Sequence, residues 1–201
     1  LFGALNATGA FGIDWHQLGL ADSWKIREGE WWRAITALTL HGDIAHLASN
    51  IGFGVLFGLL VSQHIGSIAA WLLILISGFA GNLVNAYLQT SLHLSLGAST
   101  MVFAALGLLG VFALSANQAE QKGMRRWLPF VATLALLAFT GTAGERTDVL
   151  AHLAGFACGC VAGIGWLYAD WSQLNHRQRL IMALLSPGLV LIAWSLAIMF
   201  A

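Results

Sequence analysis

Six long apolar runs, broken by short polar stretches, fill residues 44–200. They cover about 44–61, 66–88, 98–115, 127–142, 149–168 and 180–200. These runs are too apolar for ordinary surface helices, and they predict membrane-spanning helices, which need about 20 residues each. The third and fourth runs are short, so neighbouring helices are expected to shield them in part. Residues 11–42 have a different character, with charges and tryptophans interleaved. At roughly thirty residues this is long for a connection, and such stretches are functional or lie on a membrane surface. Its Trp24, Trp31 and Trp32 are expected at headgroup level. Residues 1–10 read as the tail of a helix that begins upstream of Leu1.

Composition sharpens this pattern. The chain is 58% hydrophobic and 9% charged, with a mean hydropathy of +0.77, whereas a soluble domain carries about a quarter charged residues. It cannot cover a water-facing surface and is expected to be a multi-pass integral membrane protein. The net charge is zero and gives no argument for nucleic acid. Cys158 and Cys160 stand two apart in a helical pattern, point to nearly opposite faces and are not expected to pair. Lys122, Arg125, Arg126, Arg177 and Arg179 fall on one side of the membrane with only two acids. The other side holds four cations against seven acids, so the 117–126 loop is expected in the cytoplasm and residues 11–43 outside.

The first, third and fifth runs start at that outer side, and each carries its polar residues at its start: His46 and Asn50, Ser99, and His152. Polar groups inside hydrocarbon are costly and face a bundle interior or a wet cavity, so a shared shallow depth suggests one site. His46 and Asn50, four apart, share a helix face. Gly155, Gly159 and Gly163 form a smooth stripe below His152 that admits a close neighbour. Gly107 and the face Ala98, Ala104, Ala105 on the Ser99 helix are its natural partners, and Phe103 lies one turn below Ser99. A serine becomes a nucleophile when a base takes its proton, and histidine titrates in the right range. The helix start at Ser99 supplies free N–H groups for a developing oxyanion, and His46 and Asn50 can donate from the side. No acid is placed within the bundle to orient the imidazole, which predicts a Ser99–His152 dyad rather than a triad.

Several separated motifs resemble the rhomboid family of intramembrane serine proteases. Trp32-Arg33 lies in the external loop, and His41 to Asn50 fits His-x4-His-x3-Asn. Gly97-Ala98-Ser99 fits the start of Gly-x-Ser-Gly, with Thr100 where the family usually has Gly. Ala151 to Gly159 fits Ala-His-x2-Gly-x3-Gly. The resemblance implies Ser99 as nucleophile, His152 as base, and His46, Asn50 and the Ser99 N–H as oxyanion donors. It makes His41, Trp32 and Arg33 structural parts of the loop, with Gly97, Phe103, Gly155 and Gly159 structural near the site. It also implies an all-α, rhomboid-like polytopic membrane helix bundle. Its expected parts are residues 1–43 (the end of a missing first helix and an external membrane-surface loop), 44–170 (a catalytic core of five spanning helices) and 171–201 (a cytoplasmic linker and an extra spanning helix).

The expected function is an intramembrane serine endopeptidase that cleaves single-span membrane proteins near their external end. No cofactor, metal or nucleic acid is expected; the partners are the lipid bilayer and transmembrane substrates, and the location is a bacterial inner (plasma) membrane. The alternative is a catalytically weak or inactive rhomboid-like pseudoprotease that binds membrane clients. A transporter using buried histidines is a third class, disfavoured because polar residues cluster at the outer ends of the runs. His16, His64, His93 and His176 are left without a role.

Overall fold

The computed structural model describes residues 12–89, 92–118, 123–141, 147–169 and 175–201. The expected helix tail at 1–10 lies outside the described residues, as do parts of the 117–126 and 143–148 loops. In chain order the elements are α1 (Trp15–Gly19), β1 (Ala21–Asp22), α2 (Ser23–Arg27), α3 (Arg33–Thr36), α4 (Ile44–Ile65), α5 (Ser67–Leu88), β2 (Leu94–Ser95), α6 (Ser99–Gln118), α7 (Leu128–Gly141), α8 (Val149–Tyr168) and α9 (His176–Met199).

Short polar side chains decide where these helices start. Asp14, Asp22, Asp43 and Asp148 each accept a backbone N–H from the first turn that follows. Asn175 and Gln178 form a reciprocal capping box at α9. Gly66, at φ 79°, turns the end of α4 directly into α5. Among the described residues, five helices, α4, α5, α6, α8 and α9, are long and apolar enough to cross a membrane. The fourth predicted run is the exception: α7 has 14 residues, short of the length needed to span alone.

Helix α6 is the hub. It packs most extensively on α8 and also meets α4, α5 and α7. Val102, Phe103, Leu106, Leu108 and Phe112 of α6 form one core with Phe57, Ile74, Leu137 and Phe156 from its neighbours. Along α8 the glycine stripe removes the side chains that would hold the two backbones apart. A methyl at Gly159 would run into the Ala104 carbonyl, one at Gly155 into the Thr100 carbonyl, and one at Gly107 into the Phe156 carbonyl. Bilayer helices gain little from hydrophobic burial against each other, so this close contact is a main source of their association. Large apolar side chains such as Leu56, Leu59, Val161, Leu184 and Leu191 stay exposed on the outside, as lipid-facing positions do.

The loop of residues 12–43 is a compact structured unit with its own core. Trp32, Ile35 and Leu40 pack with Ala193, Trp194 and Ala197 of α9. Trp32 stacks on Phe200 at 5.4 Å, and Trp194 Nε1 donates to Thr39 Oγ1 at 3.1 Å. Trp32 is thus buried within the protein rather than exposed at its surface, next to the edge-on pair Trp15 and Trp194. Trp24 and Trp31 remain exposed. Arg33 is buried too; it pairs with Glu30 and donates to the Gln17 and Leu20 carbonyls. Asn82 and Arg27 tie this unit to α5 through the Ala34 and Ala86 carbonyls. A two-residue antiparallel ladder, Ala21 with Ser95 and Asp22 with Leu94, joins it to the segment that enters α6. That ladder leaves no trace in the periodicity of so short a stretch.

Candidate active site

The chain enters α6 through Gly97, whose N–H donates to the Ala37 carbonyl at 2.9 Å and whose φ is 124°. A residue with a Cβ adopts that angle only under strain. Ser99 follows as the first residue of α6, half-buried, with its hydroxyl directed at α8. His152 sits one turn into α8 and is 7% exposed. Its Nε2 lies 2.8 Å from Ser99 Oγ, and its Nδ1 lies 2.8 Å from the Gly141 carbonyl oxygen. A carbonyl can only accept, so Nδ1 carries the proton and Nε2 presents its lone pair to the serine hydroxyl. The Phe103 ring lies against the imidazole, centroids 4.3 Å apart, and limits its rotation.

His46 and Asn50 reach the same place from α4. A Cβ at Gly97 would stand 2.6 Å from His46 Cε1, 2.7 Å from His46 Nε2 and 3.6 Å from Asn50 Nδ2. Both side chains therefore border the backbone two residues ahead of Ser99. Asn50 is 8% exposed, and its Nδ2 has no hydrogen-bond partner among the described residues. A buried N–H left unpaired costs about 1–3 kcal/mol, which is unusual without a functional reason. Below Asn50 runs an apolar groove of about 150 Å³ between α4, α5 and α6, bordered by Gly54, Trp71, Ala98 and Met101.

His41 stands behind this pair. Its ring meets His46 edge-on at 5.2 Å, and the Ala98 N–H points at its Nε2 over a long 3.5 Å. Burial, with the adjacent His46, pushes the His41 pKa down to about 4 against the pull of the Thr39 backbone and Asp43, so it is neutral at physiological pH. On the far side of the dyad, Asp148 caps α8 and also receives hydrogen bonds from Asn85 at 2.8 Å and His93 at 2.7 Å. Burial alone would raise its pKa; the hydrogen bonds from the Ala151 N–H, His93 and Ser95 outweigh that and hold it below the usual carboxylate range.

The structure thus brings Ser99, His152, Phe103, Gly97, His46, Asn50 and His41 together, with Gly155 and Gly159 lining the seam beneath. Trp32 and Arg33 lie apart, within the loop core. Sequence reasoning did not find the Gly141 carbonyl, which as a backbone group has no residue signature. It also passed over Asp148 and His93, although an aspartate just ahead of an apolar run is a helix-start signal. Polar groups are not confined to the outer ends: Ser77 is buried deep in α5 and Thr133 in α7, where its hydroxyl donates to the Phe130 carbonyl. Among the described residues, no group of three His, Cys, Asp or Glu side chains could hold a metal ion.

A family model described as the Rhomboid domain matches residues 28–169. RHOMBOID-like protein 6, mitochondrial, of Arabidopsis thaliana is 36% identical over 177 residues, covering 81% of this chain and 56% of that protein. Rhomboid-like protease 1 of Toxoplasma gondii is 30% identical over 158 residues, covering 76% of this chain and 51% of that protein. The chain spans about half the length of the curated relatives it matches. Relatives from these organisms lend no support to a bacterial inner membrane as the location.

Proposed function

The chain belongs to the rhomboid family of multi-pass membrane proteins, and from that premise we propose that it is an intramembrane serine endopeptidase working through a Ser99–His152 dyad. The observation that carries this is the 2.8 Å contact between Ser99 Oγ and His152 Nε2, with the other imidazole nitrogen fixed by the Gly141 carbonyl. As Ser99 Oγ bonds to the carbonyl carbon of a substrate amide, its proton passes to His152 Nε2. The carbonyl oxygen becomes an oxyanion, and the Ser99 N–H, His46 and Asn50 are the donors at hand; the unpaired Asn50 Nδ2 suits that task. His152 then returns the proton to the leaving amine, and the C–N bond breaks. Water, deprotonated by the same imidazole, attacks the acyl-enzyme and releases Ser99. The Gly141 carbonyl orients the imidazole as a carboxylate does in a triad, without the buried charge.

The substrates are single-span membrane proteins cut near their external end, with water entering from that side. A helix must unwind there to present an amide, so Gly or Ala near the scissile bond should help. The test is purified protein in lipid with a panel of tagged single-span substrates. Wild type is expected to release defined fragments and to take a fluorophosphonate on Ser99. Cleavage that persists in Ser99→Ala, or a folded protein that the probe never labels, ends this reading.

A catalytically weak, client-binding protein is the second reading, favoured by Thr100 in place of glycine. Against it, Thr100 fits its surroundings: its methyl fills a notch between Gly81 and Gly155, 2.8 Å and 3.0 Å from where their Cβ atoms would be. Client binding with no turnover, indifferent to His152→Ala, would favour this second reading.

A further inference from the structure

The hydroxyl and the imidazole come from segments 53 residues apart, and their contact must be held from more than one direction. Beneath them the backbones of α6 and α8 touch at Thr100–Gly155 and Ala104–Gly159. Above them, segment 92–98 leads into Ser99, and the first turn of α8 leads into His152. The Asp148 carboxylate is where these two meet. Its Oδ1 accepts the Ala151 N–H at 3.0 Å, and its Oδ2 accepts from His93 Nε2 at 2.7 Å and from Asn85 Nδ2 at 2.8 Å. His93 is itself fixed: its N–H donates to Ser23 Oγ and its carbonyl accepts the Ser23 N–H, both at 3.0 Å.

We propose that His93 and Asp148 are positioning residues, whose contact clips the segment carrying Ser99 onto the helix carrying His152; this rests on the dyad reading above. Asp148 is one helical turn from His152, and His93 is six residues ahead of Ser99, so the four residues close a ring around the dyad. Ser95 of the same segment is a second hydrogen-bond donor to Asp148, whereas the β1–β2 ladder and the Gly97–Ala37 bond tie the segment to the loop of residues 12–43 rather than to α8. Removing the His93 contact therefore leaves both segments folded but loosens one against the other, with Ser95 as the remaining tie to Asp148. Neither His93 nor Asp148 touches the reacting atoms, so the effect falls on alignment. Small misplacements weigh heavily there, since a shift of about 1 Å can lower a rate about a hundredfold.

His93→Leu removes the donor and keeps the bulk, while His93→Gln keeps an amide N–H near the position of Nε2. In His93→Leu, kcat is expected to fall about tenfold with KM within about twofold, and His93→Gln is expected to recover most of the loss. Combining His93→Leu with Asp148→Asn should lower kcat no further than Asp148→Asn alone, because both break one contact. Hydrogen exchange in the first turn of α8, measured in a Ser99→Ala background, should quicken on adding His93→Leu. If Ser99→Ala is inert yet His93→Leu keeps full kcat, or if the two losses multiply, the clip is wrong and the dyad stands. If Ser99→Ala still cleaves, the dyad reading falls. Exchange then decides the clip alone, and an unchanged rate in the first turn of α8 overturns it.

Discussion

Along the seam between α6 and α8 the backbones are in contact, whereas along α4, which faces the same hydroxyl, they are not. Gly155 and Gly159 on α8 have no room for a methyl group, while Gly52 on α4 meets nothing within 4 Å and Gly54 meets Val102 at an ordinary 3.5 Å. Of the apolar part of α6, 61% is buried within the protein; for α4 the figure is 22%. Helix α4 packs on α5 and α6 but scarcely on α7, and a groove opens beneath Asn50. Ser99 and His152, the proposed nucleophile and base, thus sit on the most closely packed part of the bundle. His46 and Asn50, the proposed oxyanion donors, sit on the part with the most open packing. Glycines of one composition serve two purposes, and what each faces tells them apart.

The sharpest way to break this comparison is a matched pair of substitutions. Gly159→Val drives a branched side chain into the Ala104 backbone and should abolish both the cooperative thermal transition and fluorophosphonate labelling. Gly52→Ala adds a methyl where there is space and improves helix propensity by about 1 kcal/mol. It should raise the unfolding temperature slightly and leave activity within about twofold by the same propensity argument. Equal damage from both would mean that the two sides are packed alike.

Next in size is the oxyanion side. Asn50→Ala removes an N–H that has no partner among the described residues, so folding should lose nothing. Activity should fall about 100- to 1,000-fold, in kcat rather than KM, as expected for one oxyanion donor. Steady-state kinetics on a single-span substrate, with a melting curve, separates these. A loss of stability with little change in kcat would make Asn50 a helix cross-link instead.

What the sequence conveyed, and what it withheld, follows the same division. The spans, the shared level of His46, Asn50, Ser99 and His152, and the α8 glycine stripe all depend on helical periodicity, so they are legible from spacing. The short α7 is legible too: the run read at 127–142 agrees with Leu128–Gly141 to within a residue at each end, and only the 3-10 turn of Gly123–Trp127 ahead of it leaves no mark in the pattern. The burial of Trp32 is not legible, since a tryptophan suits a membrane interface and a core equally; only α9, more than 140 residues later, decides between them. The seven acids counted on the side of residues 11–43 have a second meaning. Four of the seven are helix caps, so their number reflects how many helices begin at that side as much as its surface charge.

A smaller effect should appear with pH. His41 is held neutral, with its pKa lowered from 6.5 to about 4, so the unfolded chain binds the proton more readily. Its contribution to stability is complete above pH 6.5 and is lost as pH falls from there toward 4. Thermal unfolding midpoints should therefore drop across that window in wild type and drop less in His41→Gln. The same slope in both would show that His41 is not the group responsible.

The smallest expected effect bears on Thr100, where the two packing regimes meet the chemistry. Its methyl group occupies the notch left by Gly81 and Gly155, so α5, α6 and α8 converge on it one residue after Ser99. Thr100→Gly empties that notch and loosens the first turn of α6, at a cost of about 1–2 kcal/mol from cavity and propensity together. If the methyl only packs, the melting temperature falls by a few degrees while kcat stays within about threefold on that same cavity argument. A marked rise in kcat with the same stability loss would mean something else: that the methyl stiffens the Ser99 N–H against the movement an oxyanion requires, and that rigidity in the seam is bought at some expense of rate.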